Sequence, residues 1–181
     1  MGDHGEVAEQ RGKQTVRDMV LSIAVIGVVV AGVYVFIPRS GHDPVHPVSY
    51  RVELDLARRA APYPVAGPSG LSRQWRATSV SYDGADPRAD HWHLGFIDPQ
   101  NQYAAVEQTN AGAASFIASV TQQSHRDGTQ TVSGTTWQRY GGGRYRALAR
   151  TTTGAHGGTT VVLGTAPYSQ LAQLAGALRT S

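Results

Sequence analysis

An uninterrupted apolar run is the strongest feature in the pattern of hydrophobic and polar positions along the chain. Residues 19–37, MVLSIAVIGVVVAGVYVFI, contain no charged side chain. As a helix rising about 1.5 Å per residue, this run would span roughly 28 Å, close to the ~30 Å hydrocarbon core of a bilayer. A core helix so uniformly apolar would be unusual in a small protein. A signal peptide would be shorter and would end in small residues rather than in Pro38 and Arg39. The run therefore predicts an uncleaved transmembrane helix.

The charged residues beside this run predict its orientation. Arg11, Lys13 and Arg17 precede it, whereas Arg39 is the one basic residue that follows closely. The positive-inside rule then places residues 1–18 in the cytoplasm as a short tail, and everything after the run outside the plasma membrane. The lipid bilayer is thus the first predicted partner of the chain, through residues of the run itself.

Two further features concern the run and the segment that follows it. Gly27 and Ala31 form a small-xxx-small pair. The pair either lets two such helices pack as a homodimer or reflects the ordinary small-residue content of membrane helices. Residues 38–47 are rich in proline, glycine and polar side chains, which indicates an extended linker. The linker leads to a predicted extracytoplasmic domain, residues 48–181.

Alternation and turn signals divide this outer domain into strands and helices. Residues 48–60 alternate like a strand and also fit a short helix, so we expect a strand that passes into a short helix. Further on, period-two segments predict strands at residues 73–82, 91–98, 103–109, 135–142, 144–151 and 159–166. Helical spacing of apolar residues predicts helices at residues 110–122 and 165–180.

The order of these elements predicts an α+β fold. Each half of the outer domain has the order of a β-β-β-α unit, with Trp75 and Trp137 in corresponding first strands, although no residue-level repeat relates the halves. Strands joined by short turns imply an antiparallel sheet, and two helices with apolar faces can cover one face of it. We therefore expect one N-terminal transmembrane helix followed by an antiparallel sheet covered by helices.

Composition excludes several kinds of site and partner. The chain has no cysteine, so it forms neither disulfides nor thiolate metal sites. Its 16 basic and 13 acidic residues leave a net charge of +3, too small and too dispersed to predict nucleic-acid binding. The sequence contains no G-x-S-x-G, P-loop or H-E-x-x-H motif. It therefore assigns no catalytic, cofactor-binding or metal-binding residue.

His91 and His93 are the pair of residues that comes nearest to a metal-ligand spacing. Residues two apart on a strand share a face, so both imidazoles could bind one Zn²⁺ if a third ligand joined them. The candidates for that ligand, none at a diagnostic spacing, are Asp90, Glu107, His125 and His156. Trp92, Leu94 and Phe96 define the core face, so the histidines point the other way, to solvent or into a groove. We expect surface or structural histidines.

Three arginines form a second candidate site. Arg144, Arg146 and Arg150 lie on one face of a predicted strand. Such a face could bind an anionic polymer or lipid head groups of the envelope. It could equally be a solvated face whose charges discourage edge-to-edge pairing of strands. The sequence leaves both interpretations open.

Several segments, spread along the outer domain and in the same order, resemble a known family. They are YPVAGPSGLSRQWRATS at 63–79, the segment at 91–109, the G-x-x-W of Gly134 and Trp137, and the segment at 160–179. These are similar to the actinobacterial family called domain of unknown function 4245. The resemblance implies a membrane-anchored protein without an assigned activity, so no catalytic residue can be carried over. The family-like positions are Pro68, Leu71, Trp75, Trp92, Gly95, Gly134 and Trp137.

Together these observations predict a single-pass membrane protein whose outer domain is a non-enzymatic binding or interaction module of the cell envelope. Its expected partner is an envelope protein or an anionic envelope component, and no cofactor is expected. Two alternatives remain. One is a metal-assisted envelope hydrolase that uses His91 and His93. The other is a lipid or small-molecule binding module with a pocket between sheet and helices.

Overall fold

The computed structural model describes residues 19–30 and 48–180. The chain divides into two compact units, Met1–Pro44 and Val45–Ser181. Residues 19–30 are helical and exposed, while the predicted tail, the remainder of the predicted span and the whole linker 38–47 lie outside the described residues. Among the residues that are described, no helix has both the length and the apolarity needed to cross a bilayer. The predicted transmembrane helix 19–37 stays a prediction.

A seven-stranded antiparallel sheet forms the centre of the second unit. Its strands are β2 (Arg76–Asp83), β3 (His91–Ile97), β4 (Tyr103–Thr109), β5 (His125–Val132), β6 (Thr135–Gly141), β7 (Arg146–Thr152) and β8 (Gly158–Gly164). Their order across the sheet is β2-β3-β4-β8-β7-β6-β5. Two meanders, β2 to β4 and β5 to β8, meet where β4 pairs with β8. A separate short pair joins β1 (Gly67–Pro68) to β9 (Leu178–Arg179).

Three helices cover the sheet: α1 (Arg51–Ala60), α2 (Ala113–Val120) and α3 (Tyr168–Ala177). The larger core lies between the sheet and α1 and α3, and it contains both Trp75 and Trp137. A smaller core on the other face packs against Ile117 of α2. The expectation that α2 and α3 share one face is therefore wrong. The reason lies in the central strands. Val161 and Val162 are neighbours on β8 and therefore point to opposite faces of the sheet. Both are fully buried, so each face must be covered by a helix.

The predicted strands from residue 73 onward and both predicted helices are present, with ends that differ by at most three residues. The structure thus confirms an α+β domain built on an antiparallel sheet. Two details differ from the sequence prediction. The second half has an additional strand, β5, so it is not a β-β-β-α unit. Residues 48–50 have no regular structure and α1 begins directly at Arg51, so the expected strand is not found in the described residues before the helix.

Helix α1 is positioned by a small apolar stripe. Leu54 and Ala57 face the core, while Val52 and Leu56 on its other side are exposed. Pro62 and Pro64 follow the helix, and proline cannot continue the helical hydrogen-bond pattern. The chain therefore turns at residues 61–66 and runs across the end of the sheet, where it forms one wall of the cleft described below.

Candidate functional site

His91 and His93 lie on β3 and point to the α2 face of the sheet. The intervening Trp92 is fully buried on the opposite face, as the alternation predicts. The two imidazole side chains are 41% and 22% exposed, respectively. Phe116 of α2 meets the His91 ring edge to face, with the ring centroids 5.4 Å apart. The pair is thus neither solvated throughout nor part of the core.

Glu107 on β4 joins the two histidines. It is the direct cross-strand partner of His93, and its side chain is 9% exposed. Its Oε2 atom accepts a hydrogen bond from His91 Nε2 at 2.8 Å. Its Oε1 atom accepts from His93 Nδ1 at 2.7 Å. Both oxygens of a largely buried carboxylate therefore have a partner, as burial of a charge requires.

These contacts set the protonation of the cluster. Burial alone would raise the pKa of Glu107, but the hydrogen bonds from His91 and His93 outweigh it and hold that pKa below its ordinary value. The hydrogen bond to Glu107 raises the pKa of His91 against the opposing effect of burial, and the charge of Asp83 adds to the increase. Glu107 is therefore an ionised acceptor at neutral pH.

Ser79 on β2 extends this arrangement. Its Oγ atom lies 2.7 Å from His93 Nε2. Because the ionised Glu107 only accepts, His93 carries a proton on Nδ1. In the tautomer that carries this proton alone, Nε2 accepts from the Ser79 hydroxyl. Ser79, His93, Glu107 and His91 thus form a continuous chain of hydrogen bonds across three strands, which we call the polar network.

Two local features bring Ser79 to His93. The β2–β3 register shifts at Thr78, so that Ala77 pairs with Phe96 and Ser79 pairs with Gly95. Such a bulge re-aims the side chains that follow it. Gly95 provides the space, since a Cβ atom there would overlap the Ser79 Oγ atom. The hydroxyl therefore lies above Gly95, within reach of the imidazole two residues earlier on β3.

The proposed third metal ligands do not gather around the histidines. Glu107 alone contacts both, whereas the Asp90 carboxylate accepts from Tyr82 Oη at 2.6 Å. His125 begins β5 at the far edge of the sheet, and His156 lies in the turn between β7 and β8. Within the described part of the chain, no group of three or more histidines and carboxylates is arranged to hold a metal ion. The arrangement around β3 and β4 is a hydrogen-bonded network.

The opposite face of the sheet ends in an open cleft of about 450 Å³. Gln108, Thr160, Arg150 and Trp137 form its floor, one from each of β4, β8, β7 and β6 in that order. Residues 63–66 and the end of α3 form its walls. Gln108 fixes the floor to one wall, because its amide accepts from Ala66 N at 2.7 Å and donates to Thr160 Oγ1 at 2.9 Å.

Arg150 is the unusual residue of this cleft. Its guanidinium carbon lies 5.3 Å from the centre of the Trp137 ring, a cation–π contact. Its Nε atom is buried and has no hydrogen-bond partner. A buried donor without a partner costs free energy, so each one calls for an explanation. Among the described residues, no carboxylate neutralises this side chain.

The three arginines predicted to share a strand face are separated by the structure. Arg146 and Arg150 do flank Leu148 on β7, on the face that α3 covers, but Arg146 at the start of the strand is exposed and Arg150 is half-buried. Arg146 donates to the Thr165 carbonyl at 3.2 Å. Arg144 lies before the strand, with its guanidinium 5.5 Å from the Tyr145 ring. Of these three arginines, Arg150 alone lines the cleft, where Arg179 of β9 is a second basic residue.

Sequence patterns missed Ser79 and the pairing of Arg150 with Trp137. No spacing rule could find Ser79, because the bulge at Thr78 changes the face on which it lies. Glu107 was considered only as a metal ligand. An acidic residue in the strand after a His-x-His pair is nevertheless a usable signal, because a short hairpin places the two opposite each other.

The fold places this protein in the class of α+β domains built on an antiparallel sheet. One face of the sheet carries the polar network and the other carries the cleft. The chain belongs to the family described as Protein of unknown function (DUF4245), which matches it over residues 11–178. This confirms the resemblance noted in the sequence, and the match takes in the apolar run as well as the domain.

Among solved structures, the chain is similar to one in the crystal structure of MucB in complex with MucA(peri), with 13% sequence identity and a TM-score of 0.39. The alignment covers 63% of this chain and 35% of that chain, so this protein spans about a third of the solved structure. A likeness at that level carries no argument about function. No curated protein matches the chain.

Proposed function

We propose that residues 48–180 form an extracytoplasmic binding domain, and that its ligand is an anionic amphiphile of the cell envelope held in the cleft at Arg150. The observation that carries this proposal is the Arg150 guanidinium, which is half-buried, without a carboxylate partner and with its Nε unsatisfied. A ligand that brings a negative charge would supply the missing partner. A hydrogen bond from Arg150 Nε to that ligand would then contribute to the affinity.

The lining of the cleft indicates the chemistry of the ligand. A guanidinium offers a planar fork of donors that matches a phosphate or a carboxylate. Ser133, Thr135 and Thr152 also line the cleft and bring hydroxyl groups, and apolar surface comes from Val132 and Leu178. The volume of about 450 Å³ falls within the range of small-molecule sites. This combination suits an anionic head group with the first part of an apolar chain.

The same lining favours binding over catalysis at this cleft. The residues that form it include no histidine, aspartate or glutamate. General acid–base chemistry needs such a group within hydrogen-bond reach of the reacting atom. The cleft therefore supports recognition without a chemical change in the ligand.

The binding test compares two arginines on the same strand face. Calorimetric titration of the full chain would use short-chain phosphatidylglycerol below its micellar concentration, the matching phosphatidylcholine, and inorganic phosphate. Loss of one charged partner of a buried pair typically costs more than 1.4 kcal/mol, which corresponds to tenfold in affinity. We expect Arg150→Gln to weaken phosphatidylglycerol binding at least about tenfold.

Arg146→Gln is the matched control, since Arg146 already donates to Thr165, and it should change affinity by less than about twofold. Equal affinities of the wild-type chain and Arg150→Gln would contradict the proposal. Phosphate that binds as tightly as the lipid would identify a free anion as the ligand and overturn the amphiphile. Equal affinity for phosphatidylcholine would overturn the requirement for a net negative charge.

The position of the domain is part of the proposal and rests on the apolar length of residues 19–37 and the basic residues before them. A chain without native cysteine allows a direct test. In intact cells, a membrane-impermeant maleimide should label a Thr180→Cys variant and leave a Glu6→Cys variant unlabelled. Labelling of Glu6→Cys alone would invert the topology and contradict the proposal.

A further inference from the structure

We propose that Ser79 is an activated nucleophile, with His93 as its general base and Glu107 as the group that orients the base. The site lies on the α2 face of the sheet, opposite the cleft, and does not depend on what the cleft binds. Its substrate class would be activated carboxylic esters. The observation that points to it is the chain of two hydrogen bonds, from Ser79 Oγ to His93 Nε2 and from His93 Nδ1 to Glu107 Oε1, each 2.7 Å long.

This geometry assigns one role to each residue. A nucleophilic serine is recognised by a base within hydrogen-bond reach, which is in turn held by a third group. Glu107 fixes the Nδ1–H tautomer of His93 and would stabilise the imidazolium that forms when the serine proton is taken. His91 holds the second carboxylate oxygen at 2.8 Å, so that Glu107 is itself locked in place.

Ser79 can be reached from solvent. Ser79 is partly exposed, and it lies on β2, which is an edge strand of the sheet. The bulge brings the Thr78 hydroxyl over the same niche, where its Oγ1 atom lies 3.4 Å from the position that a Gly95 Cβ would occupy. The Thr78 hydroxyl is therefore a side-chain donor near Ser79 that could stabilise negative charge on a carbonyl oxygen attacked by Ser79.

The reaction balances with water as the second substrate. Ser79 Oγ forms a bond to the ester carbonyl carbon while its proton passes to His93 Nε2. The bond between that carbon and the alcohol oxygen breaks, and the alcohol leaves with the proton from His93. Water then gives a proton to His93 and attacks the acyl-serine, which releases the carboxylic acid and returns the proton to Ser79. No oxidant, reductant or further reactant is needed.

The experiment uses a fluorophosphonate on the full chain, followed by mass spectrometry of peptides. Ser79 Oγ would displace fluoride and form a P–O bond, with its proton taken by His93. Ser81 is an internal control because it lies on the same strand directly opposite His93 in register. Within the described residues, Ser81 makes no hydrogen bond to that ring. We expect label on Ser79 in at least about tenfold excess over Ser81.

Two variants complete the test. His93→Gln should reduce the Ser79 label to the level of Ser81, whereas Ser81→Ala should leave it unchanged. The label is read without any ligand for the cleft, so a failure of the cleft proposal and a failure of this one are distinguishable. Equal label on Ser79 and Ser81 in the wild-type chain, or an undiminished label in folded His93→Gln, would overturn the proposal. The wild-type comparison needs no variant, so it holds even if His93→Gln fails to fold.

Discussion

The two faces of the sheet differ in the size and polarity of the side chains they carry. On the face under α1 and α3, large side chains such as Trp92 and Phe96 build a deep core, and the cleft opens where the helices end. On the other face, Ala105 and Ala147 leave a shallow surface on which the short α2 packs through Ile117. The polar network occupies the part of this face that α2 leaves partly open.

The difference teaches how one sheet can carry two unrelated chemistries. Side chains alternate between faces along every strand, so each face can be given its own composition without changing the strand order. Here a cationic cleft and an anion-centred histidine network are separated by the thickness of one sheet. Each can therefore be altered while the other serves as its control.

The largest effect is expected in the aromatic core. Trp92 is fully buried and donates its Nε1 hydrogen to the Ala66 carbonyl at 3.2 Å. Trp92→Ala should lower the free energy of unfolding by about 3–5 kcal/mol, the usual loss for a buried large aromatic side chain. Ile117→Ala, on the other face, should lower the free energy of unfolding by only about 2 kcal/mol. Ile117 lies in a helix of eight residues, which covers little of the sheet around the cavity that the substitution would leave. Urea unfolding measures both, and equal losses would contradict the contrast between the faces.

A smaller loss is expected in the polar network. Glu107→Gln removes the charge that accepts from two histidines and should lower the free energy of unfolding by about 1–3 kcal/mol, as for other hydrogen bonds to charged groups. Asp86→Asn provides the comparison, since its carboxylate is 59% exposed and lies 3.8 Å from Arg88. Its effect should stay below about 0.5 kcal/mol. Urea unfolding near pH 6 measures the loss of unfolding free energy in the two variants. A loss in Glu107→Gln as small as that in Asp86→Asn would mean that the network adds nothing to stability.

The network should also make stability depend on pH. Because the folded pKa of His91 is raised, its contribution is fully present below the ordinary pKa of 6.5 and is lost as pH rises through the folded value. Because the folded pKa of Glu107 is lowered, its contribution is present above 4.5 and is lost as pH falls through the folded value. The two contributions therefore overlap between pH 4.5 and 6.5.

In thermal unfolding, the Tm difference between the wild-type chain and His91→Gln should be largest in this window and should shrink toward pH 9. His156→Gln is the control because His156 contacts the Pro62 carbonyl rather than a carboxylate. Its Tm difference from the wild-type chain should not shrink in this way. A His91→Gln difference that stays constant from pH 5.5 to 9 would show that His91 is not coupled to Glu107.

The sequence could predict those parts of the fold in which one face of a strand is apolar. The alternation around Trp92 and Leu94 indicated β3 and the direction of both histidines correctly. Strand β5, HRDGTQTV, carries one buried residue, Val132, and has no such alternation. It exists because it pairs with β6 at the edge of the sheet, which is a tertiary effect that local pattern does not contain.

The candidate sites were less predictable because each depends on contacts between distant segments. The Ser79 hydroxyl reaches His93 only because of a one-residue bulge and the missing Cβ of Gly95. Arg150 was assigned to the correct strand face, but that face was expected to be solvated. The cover comes from α3 and from residues 63–66, whose position relative to β7 is not encoded in any local spacing.

The smallest expected effect concerns the cost of an unpaired charge in the cleft. Arg150→Met keeps apolar contact with Trp137 but removes a buried donor that has no partner. Relief of that desolvation should slightly exceed the lost cation–π contact, so the ligand-free variant should be more stable by about 0.5–1 kcal/mol. Arg146→Met instead removes a hydrogen bond to Thr165 and should be less stable by about 0.5–1.5 kcal/mol. Urea unfolding of both ligand-free variants tests the opposite signs. A loss of stability in Arg150→Met would mean that Arg150 stabilises the fold. A gain would mean that Arg150 destabilises the fold, as expected for a residue whose role is to bind a ligand.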